Sequence, residues 1–533
     1  MASSWASKLS LPSSETALLS SPGTTILLCA LAFALVYLSR LRTGRVRQQL
    51  PPGPPALPLL GNLHQLPMAY QEHTLAEWGK HYGDVVYARI IEKPILVLNR
   101  AQIARELLEK RGAKYSGRPH SAFILDIVQW VQLVSMPYTE RWRRHRRWFQ
   151  TALQARNILN AYEPLQHIEV RRLLNDILRE PDDVIIHLRR YVAALMLGIA
   201  YGHSPSSMDD EYIKMVADAL HLVIEAGAVS SMLVDFIPFL KYLPAWAPGM
   251  GFKRRGLQAR SLIRDMERIP LERVKSKMAA GTARPSVATA LLEEATRSGT
   301  LDEAEEREIA SVLGIMYGAG TDTTSTVLST FILLMVLHPD VLRKAQMEVD
   351  SVIGDIRLPD INDRASLPYL DAVLKETYRW LAPVPLGVPH ELTEPDEYNG
   401  FAMPEGSMVF TNLWAMLRDE EHYLNPDVFD PERFFGLSED QAEDTDPRRI
   451  VFGFGRRICP GRFLADSSIF LAAANIIAVF DIRPARTADG KETLPQPSFI
   501  AGAVRHPKPF LCNVQPRSDK IVDLLMTAAT AEM

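Results

Sequence analysis

Cysteine is scarce in this chain, with Cys29, Cys459 and Cys512 the only three among 533 residues. None belongs to a C-x-x-C pair, so a cysteine-rich zinc site is not signalled, and three isolated cysteines make no disulfide framework. That usage fits a reducing compartment. Taken alone, each cysteine reads as a small, inert core residue. No long polybasic run occurs and the formal net charge is −4, so nothing points to nucleic acid as a partner. No G-x-G-x-x-G follows a strand pattern, which leaves the chain without a flavin or nicotinamide module of its own.

What is present is the composition of a folded protein, 47% hydrophobic and 23% charged. Residues 24–38 read TTILLCALAFALVYL, without a charge. The run is a little short of the roughly 20 residues that span a bilayer. Ser39 and Leu41 lengthen it, and Arg40 and Arg42 can snorkel to the interface. A cleaved signal peptide is the competing reading. No charged segment lies directly before the run and no small-x-small site directly follows it. Arg40, Arg42, Arg45 and Arg47 follow the run and only Lys8 precedes it. The positive-inside tendency then places the downstream chain in the cytosol. Leu50-Pro51-Pro52-Gly53-Pro54-Pro55 reads as a stiff spacer, because proline removes donors and cannot continue a helix. The expected organisation is a single-pass anchor with a basic collar over residues 1–50 and one catalytic domain over 51–533.

After the spacer, apolar alternation at 85–91 and 94–98 predicts a short β-meander. Helical periodicity dominates from Gln102 to about Leu337. Strand-like pieces return at 388–390, 408–411 and near the C-terminus, and a polar tail with a short helix follows Gln515. The fold class expected is mainly α with small β-sheets.

The most informative segment is Phe452-Gly453-Phe454-Gly455-Arg456-Arg457-Ile458-Cys459-Pro460-Gly461. Glycines let a backbone turn tightly and approach a flat ring. A thiolate needs nearby donors or a metal to carry its charge. Here the chain resembles the cytochrome P-450 superfamily, whose haem-binding loop reads F-x-x-G-x-R-x-C-x-G. Phe452, Gly455, Arg457, Cys459 and Gly461 meet every fixed position. The resemblance implies haem b held by the Cys459 thiolate, with Arg457 facing a propionate and Phe452 beside the sulfur. Such a thiolate pushes electron density toward dioxygen and favours O–O cleavage. Pro460 removes one N–H near the sulfur.

A second element is a long helix predicted from a Thr300-x-x-Glu303 capping box to His338-Pro339, roughly 55 Å in length. Its middle reads Ala319-Gly320-Thr321-Asp322-Thr323-Thr324, poor helix material. Alone this is a harmless kink. It matches the family's A-G-x-D-T-T motif, which implies that Thr323 holds water or oxygen and Asp322 relays protons, the acid–alcohol pair being the catalytic equipment.

Further matches follow. Glu376 and Arg379 fit E-x-x-R, and Arg433 completes the family's structural Glu-Arg-Arg cluster. Trp142 and Arg146 fit W-x-x-x-R, which points them at haem propionates. His390 falls where the family often places another propionate partner, and a satisfied strand histidine remains the alternative. Arg143, Arg144, Arg147, Arg448, Arg449 and Arg456 form either a basic face that steers an acidic electron donor or a merely solvated one. The resemblance covers residues 51 to about 516. Pro383 to His390 and Arg505-His506-Pro507 look most like fungal microsomal members of secondary metabolism.

By that analogy the substrate meets Phe123, Ile124, Leu125, Leu313, Met316, Tyr317, Val384, Leu386 and Ile500, an apolar set suited to a terpenoid or polycyclic molecule. Residues 232–252 read as plain core or as a segment dipping into the membrane surface, and the second is the expectation. The activity expected is monooxygenation of a small apolar substrate at the endoplasmic reticulum membrane. Electrons would come from an NADPH-dependent cytochrome P-450 reductase, with cytochrome b5 as a further donor. A haem-thiolate isomerase or dehydratase, and a non-catalytic haem sensor, are the alternatives. The first typically lacks the acid–alcohol pair, and a sensor has no use for it.

Overall fold

The computed structural model describes residues 49–226, 229–487 and 490–530. The proposed anchor, its arginine collar and Cys29 lie outside the described residues. Residues 51–396 and 403–533 form the main unit. A small second unit contains the turn Glu397–Ala402, where the Ala402 N–H donates to the Gln49 carbonyl (2.9 Å).

The prolines at 51–55 are not a free spacer. Tyr87 N–H donates to the Pro52 carbonyl (3.0 Å) and Asn62 Nδ2 to the Pro54 carbonyl (3.0 Å), and Pro51 and Pro54 are buried. Then come α1 (Gln71–Tyr82), β1 (Val85–Ile90) and β2 (Lys93–Leu98). α2 (Glu140–Leu153) is amphipathic. Trp142, His145, Arg146, Phe149 and Leu153 recur on one face and are buried there. Its Thr139 cap accepts the Trp142 N–H. α3 (Arg156–Arg179) and α4 (Val184–Tyr201) follow, then α5 (Gly251–Ala279).

α6 (Glu303–Leu337) is the axis of the molecule, and α4, α5 and the later α8 all pack on it. Its cap is Asp302, which accepts the Glu305 N–H (2.8 Å), and not Thr300 as the capping-box pattern predicts. Asp302 is favoured because its charge also meets the positive end of the helix dipole. The helix stops at His338, the residue before Pro339. From Ile309 to Val336 the helix is buried, except at Ala319–Thr323.

α7 (Pro368–Trp380) leads to β3 (His390–Glu391) and β4 (Met408–Thr411). Sheet order is β1-β2-β4-β3, with β2 and β4 parallel and the other pairs antiparallel. α8 (Arg462–Val479) is apolar on most sides, as a mostly buried helix must be. β5 (Phe480–Arg486), β6 (Glu492–Thr493) and β7 (Cys512–Pro516) make a three-stranded sheet, and α9 (Asp519–Thr530) closes the described chain. The fold is mainly helical with small sheets. Three described segments, Pro181–Tyr201, Glu303–Leu337 and Arg462–Val479, are long and apolar enough to cross a membrane. All three are mostly buried inside the protein, where they form its core.

Candidate active site

The segment before α8 folds back on itself, and the Cys459 N–H donates to the Phe452 carbonyl (2.9 Å). Gly455 sits at φ +62°, and a Cβ there would stand 2.0 Å from the Leu108 carbonyl oxygen. Only glycine fits that approach. The turn delivers Cys459 to the N-terminus of α8. Burial pushes its thiol up, while the N–H groups of Gly461 and Arg462 and the charges of Arg146 and Arg462 act in the opposite direction. The donor removed by Pro460 is thus replaced by the two that follow. The balance remains upward, so a full thiolate here calls for a cation at the sulfur.

Cys459 lines a cavity of about 300 Å³. Phe452, Phe454 and Leu464 share its wall, and α6 contributes Met316, Ala319, Gly320 and Thr323. The cavity is also lined by Trp142, Arg146, His390, Arg457 and Arg118. Arg457 donates to the carbonyls of Ser116 (3.0 Å), Leu133 (3.3 Å) and Met136 (2.9 Å). Arg146 donates to the Ile458 carbonyl (2.7 Å), and Arg118 to those of Val134, Val388 and Pro389 (2.9, 2.7 and 2.8 Å). Trp142 spends its Nε1–H on the Leu133 carbonyl (3.2 Å). His390 Nδ1 bonds the Tyr115 carbonyl (2.8 Å).

Among the described residues no carboxylate pairs with Arg118, Arg146 or Arg457. Burial pushes Arg457 down to about 9 and lowers Arg146 and Arg118. Burial, with Arg118 and Arg457 adding to it, holds His390 well below the usual histidine range. Buried cations without a counter-ion are costly. A flat, apolar group with acidic substituents at one edge and a metal at its centre resolves both problems, the unpaired cations and the raised thiol. The residues present therefore fit an iron porphyrin. Arg118 was missed in the sequence because it stands outside every motif; its isolation from carboxylates exists only in the fold.

The gap in α6 burial coincides with the cavity wall. Gly320 lines the cavity and also lets α4 approach, since a Cβ there would lie 2.6 Å from Met196 Cε. Thr323 lines the cavity and donates to the Ala319 carbonyl (2.9 Å). Asp322 is not on the wall. Its Oδ1 lies 3.2 Å from His506 Nε2. Met316 and Val384 line the cavity as expected, whereas Phe123, Leu125, Leu313, Tyr317, Leu386 and Ile500 do not. Ile124 lines a second cavity of about 610 Å³, which shares Arg118, Val134 and Val388 with the first.

Behind the thiolate loop, Glu376 takes Arg379 in a two-bond fork (2.8 and 2.9 Å) and Arg433 on the same oxygens (3.1 Å each). Its Oε1 also accepts the Asp430 N–H (2.9 Å). Glu376 and Arg379 are fully buried. A second network was not read from the sequence. Arg364 joins Asp371 (2.6 Å) to Asp466 (2.7 Å) on α8, and Arg448 joins Asp371 (3.2 Å) to Asp446 (2.6 Å). Arg448 therefore turns inward, away from the expected basic face. Arg143, Arg144 and Arg449 are paired with Glu140, Glu305 and Glu443. Among the described residues, Arg147 and Arg456 keep no ion pair, so the free positive charge is narrower than the sequence implies.

Comparison with known proteins agrees with this geometry. The sequence profile described as cytochrome P-450 matches residues 51–514. The chain is 44% identical to cytochrome P-450 monooxygenase 136 of Postia placenta over 502 residues, 94% of each chain. It is 39% identical to cytochrome P-450 monooxygenase claR of Ampulloclitocybe clavipes, over 90% of this chain and 88% of that one. It is 38% identical to cytochrome P-450 monooxygenase ple1 of Rhodocybe pseudopiperita, over 90% and 92%. The family implies a haem-thiolate cofactor, redox-partner reductases and lipophilic substrates. With its cysteine loop, its acid-free arginines and its opened core helix, the chain belongs to the cytochrome P-450 family of monooxygenases.

Proposed function

We propose that this monooxygenase inserts one oxygen atom of O2 into a small lipophilic substrate, a terpenoid or another secondary metabolite. The observation that carries the reading is the cavity itself: Cys459 on its wall with Thr323, and three acid-free guanidinium groups lining it. Cys459 would ligate the iron, and Arg118, Arg146, Arg457 and His390 would hold the propionates. When bound, the haem-thiolate supplies the reductive activation of dioxygen. The chain's own residues do the rest. Val192, Leu195, Ile315, Met316 and Val384 present apolar surface to a substrate and exclude water. Thr323 places a hydroxyl at the wall, and Asp322, the preceding residue along α6, supplies an acid off it.

Electrons are assigned to an NADPH-dependent reductase, with cytochrome b5 as a further donor. Of the six arginines expected on a basic face, Arg147 and Arg456 have no ion pair among the described residues and are available to meet an acidic partner. The proposed setting is the endoplasmic reticulum membrane, with the domain in the cytosol. Phe239, Tyr242 and Trp246 support that setting, being 66%, 72% and 80% exposed. Aromatic residues so placed suit a lipid interface. The second cavity, lined in part by Met68, Leu233 and Phe236, offers lipophilic molecules an approach from the same region.

The test is turnover of candidate substrates with reductase, NADPH and labelled O2. Product carrying one labelled oxygen atom is expected, and product without label would overturn the reading.

A further inference from the structure

Arg505 and His506 lie side by side, yet each is committed to a different helix. Arg505 Nη2 reaches both oxygens of Glu72 on α1 (2.7 Å each), and its guanidinium stacks on Tyr70 (4.5 Å). Its N–H donates to the Pro383 carbonyl (2.8 Å). This buried clamp fixes the next residue against α6. There His506 Nδ1 lies 2.8 Å from Thr326 Oγ1, and Nε2 lies 3.2 Å from Asp322 Oδ1. Residues 322 and 326 are one helical turn apart, so one ring spans both.

Counting hydrogens constrains the pair. Thr326 has a single hydroxyl hydrogen. With that hydrogen on the Asp322 carbonyl (2.9 Å), the oxygen accepts from Nδ1–H. A neutral ring would then turn the Nε2 lone pair toward a carboxylate, and one added proton, on either atom, removes that repulsion. With the hydroxyl hydrogen on Nδ1, the ring hydrogen sits on Nε2 and again points at Asp322. Each favourable arrangement puts a proton on Nε2 or on Asp322, whose Oδ1 lies 3.2 Å away.

We propose that His506 is the positioning residue for Asp322: it holds the carboxylate off the cavity wall and recharges it with protons from solvent. The ring is 22% exposed and the carboxylate 35%, so both reach water. The step balances without electrons or heavy atoms: a proton passes from Nε2 to Oδ1, and the ring recovers one from water. Asp322 is the carboxylate paired with the ring among the described residues. Arg505, the neighbouring cation, is engaged by Glu72. The inference rests on the oxygen-activating reading of Asp322 and Thr323.

The experiment compares wild type, His506→Gln and Asp322→Asn as haem-loaded enzymes. Glutamine keeps a polar group able to hydrogen-bond but cannot exchange a proton with Asp322. His506→Gln should keep the wild-type reduced-CO spectrum. It should release a several-fold larger share of NADPH electrons as hydrogen peroxide. A wild-type peroxide share would overturn the relay. Nitrogen-15 NMR of the reduced-CO complex reads the pair without turnover: Asp322→Asn should move the His506 Nε2 resonance and leave Nδ1 in place. An unmoved Nε2 in an enzyme that turns over would overturn the pairing alone. A responsive Nε2 in a wild-type enzyme that consumes no dioxygen would overturn the relay through the reading beneath it.

Discussion

The guanidinium of Arg457 lies over the indole of Trp142, its central carbon 4.5 Å from the ring centroid. The stack orients an arginine whose hydrogen-bond partners among the described residues are all carbonyl oxygens. Its charge is therefore costly until an anion arrives. Arg457→Met should leave the haem-free protein as stable as wild type or more so, because a buried unpaired cation is removed. The loaded enzyme should lose haem about 10- to 100-fold faster, the worth of one charge-assisted hydrogen bond. Haem transfer to an acceptor protein and thermal melts of both forms measure the two effects. Equal haem loss in wild type and variant would contradict a propionate contact.

Cys459→Ala should abolish the thiolate-type Soret band of the reduced-CO complex while near-native circular dichroism remains. Retention of that band would mean that another residue ligates the iron.

Glu376→Ala leaves Arg379 and Arg433 facing each other without a carboxylate. Breaking a buried pair this way costs about 3–5 kcal/mol. Denaturant titration should show a loss of that size, together with haem loss, since the cluster supports the segment behind the thiolate loop. A loss below about 1 kcal/mol would show that solvent screens the cluster.

Gly320→Val should clash with Met196 and cost about 1–3 kcal/mol. Met196→Ala should recover part of it, so the double-mutant cycle has a favourable coupling. Additive melting shifts would indicate that α4 and α6 adjust independently.

Glu267 on α5 accepts the Trp130 Nε1–H (3.1 Å), and burial pushes its carboxyl from 4.5 up to about 7. The folded state thus keeps this proton after the unfolded chain has released it. Stability contributed by the protonated form is present below about 4.5 and is lost as pH rises toward about 7, by at most about 3 kcal/mol. Glu267→Gln should melt higher than wild type at about pH 8 and equally at about pH 4. Parallel curves at all pH values would show that Glu267 is hydrated.

The sequence was most legible where chemistry and spacing are local. The cysteine loop, the α6 motif and the Glu376–Arg379 pair each fit within a few residues; the structure brings Cys459 and Thr323 to one cavity and pairs Glu376 with Arg379. Local reading failed where two local solutions competed, as with Thr300 and Asp302 at the start of α6. It also failed along α6: Met316, Gly320 and Thr323 share the cavity stripe, while Tyr317 is rotated one residue off it and Leu313 sits a turn beyond its end. Arg118 and the Arg364–Asp371–Arg448–Asp466 network were illegible because their partners are brought together by the fold. His506 and Asp322 are 184 positions apart in sequence, and no period connects them.

The opening in α6 has a consequence for how this protein can change. Elsewhere along α6, a new side chain must first be accepted by the core. At Ala319 and Thr323 the helix faces the cavity, so substitutions at these two positions are filtered by chemistry before folding, whereas Gly320 is hemmed in by Met196. Exchange of Thr323 should cost little thermal stability while product spectrum and coupling move. New activities can therefore arise at the centre of the longest core helix without first acquiring stabilising mutations elsewhere.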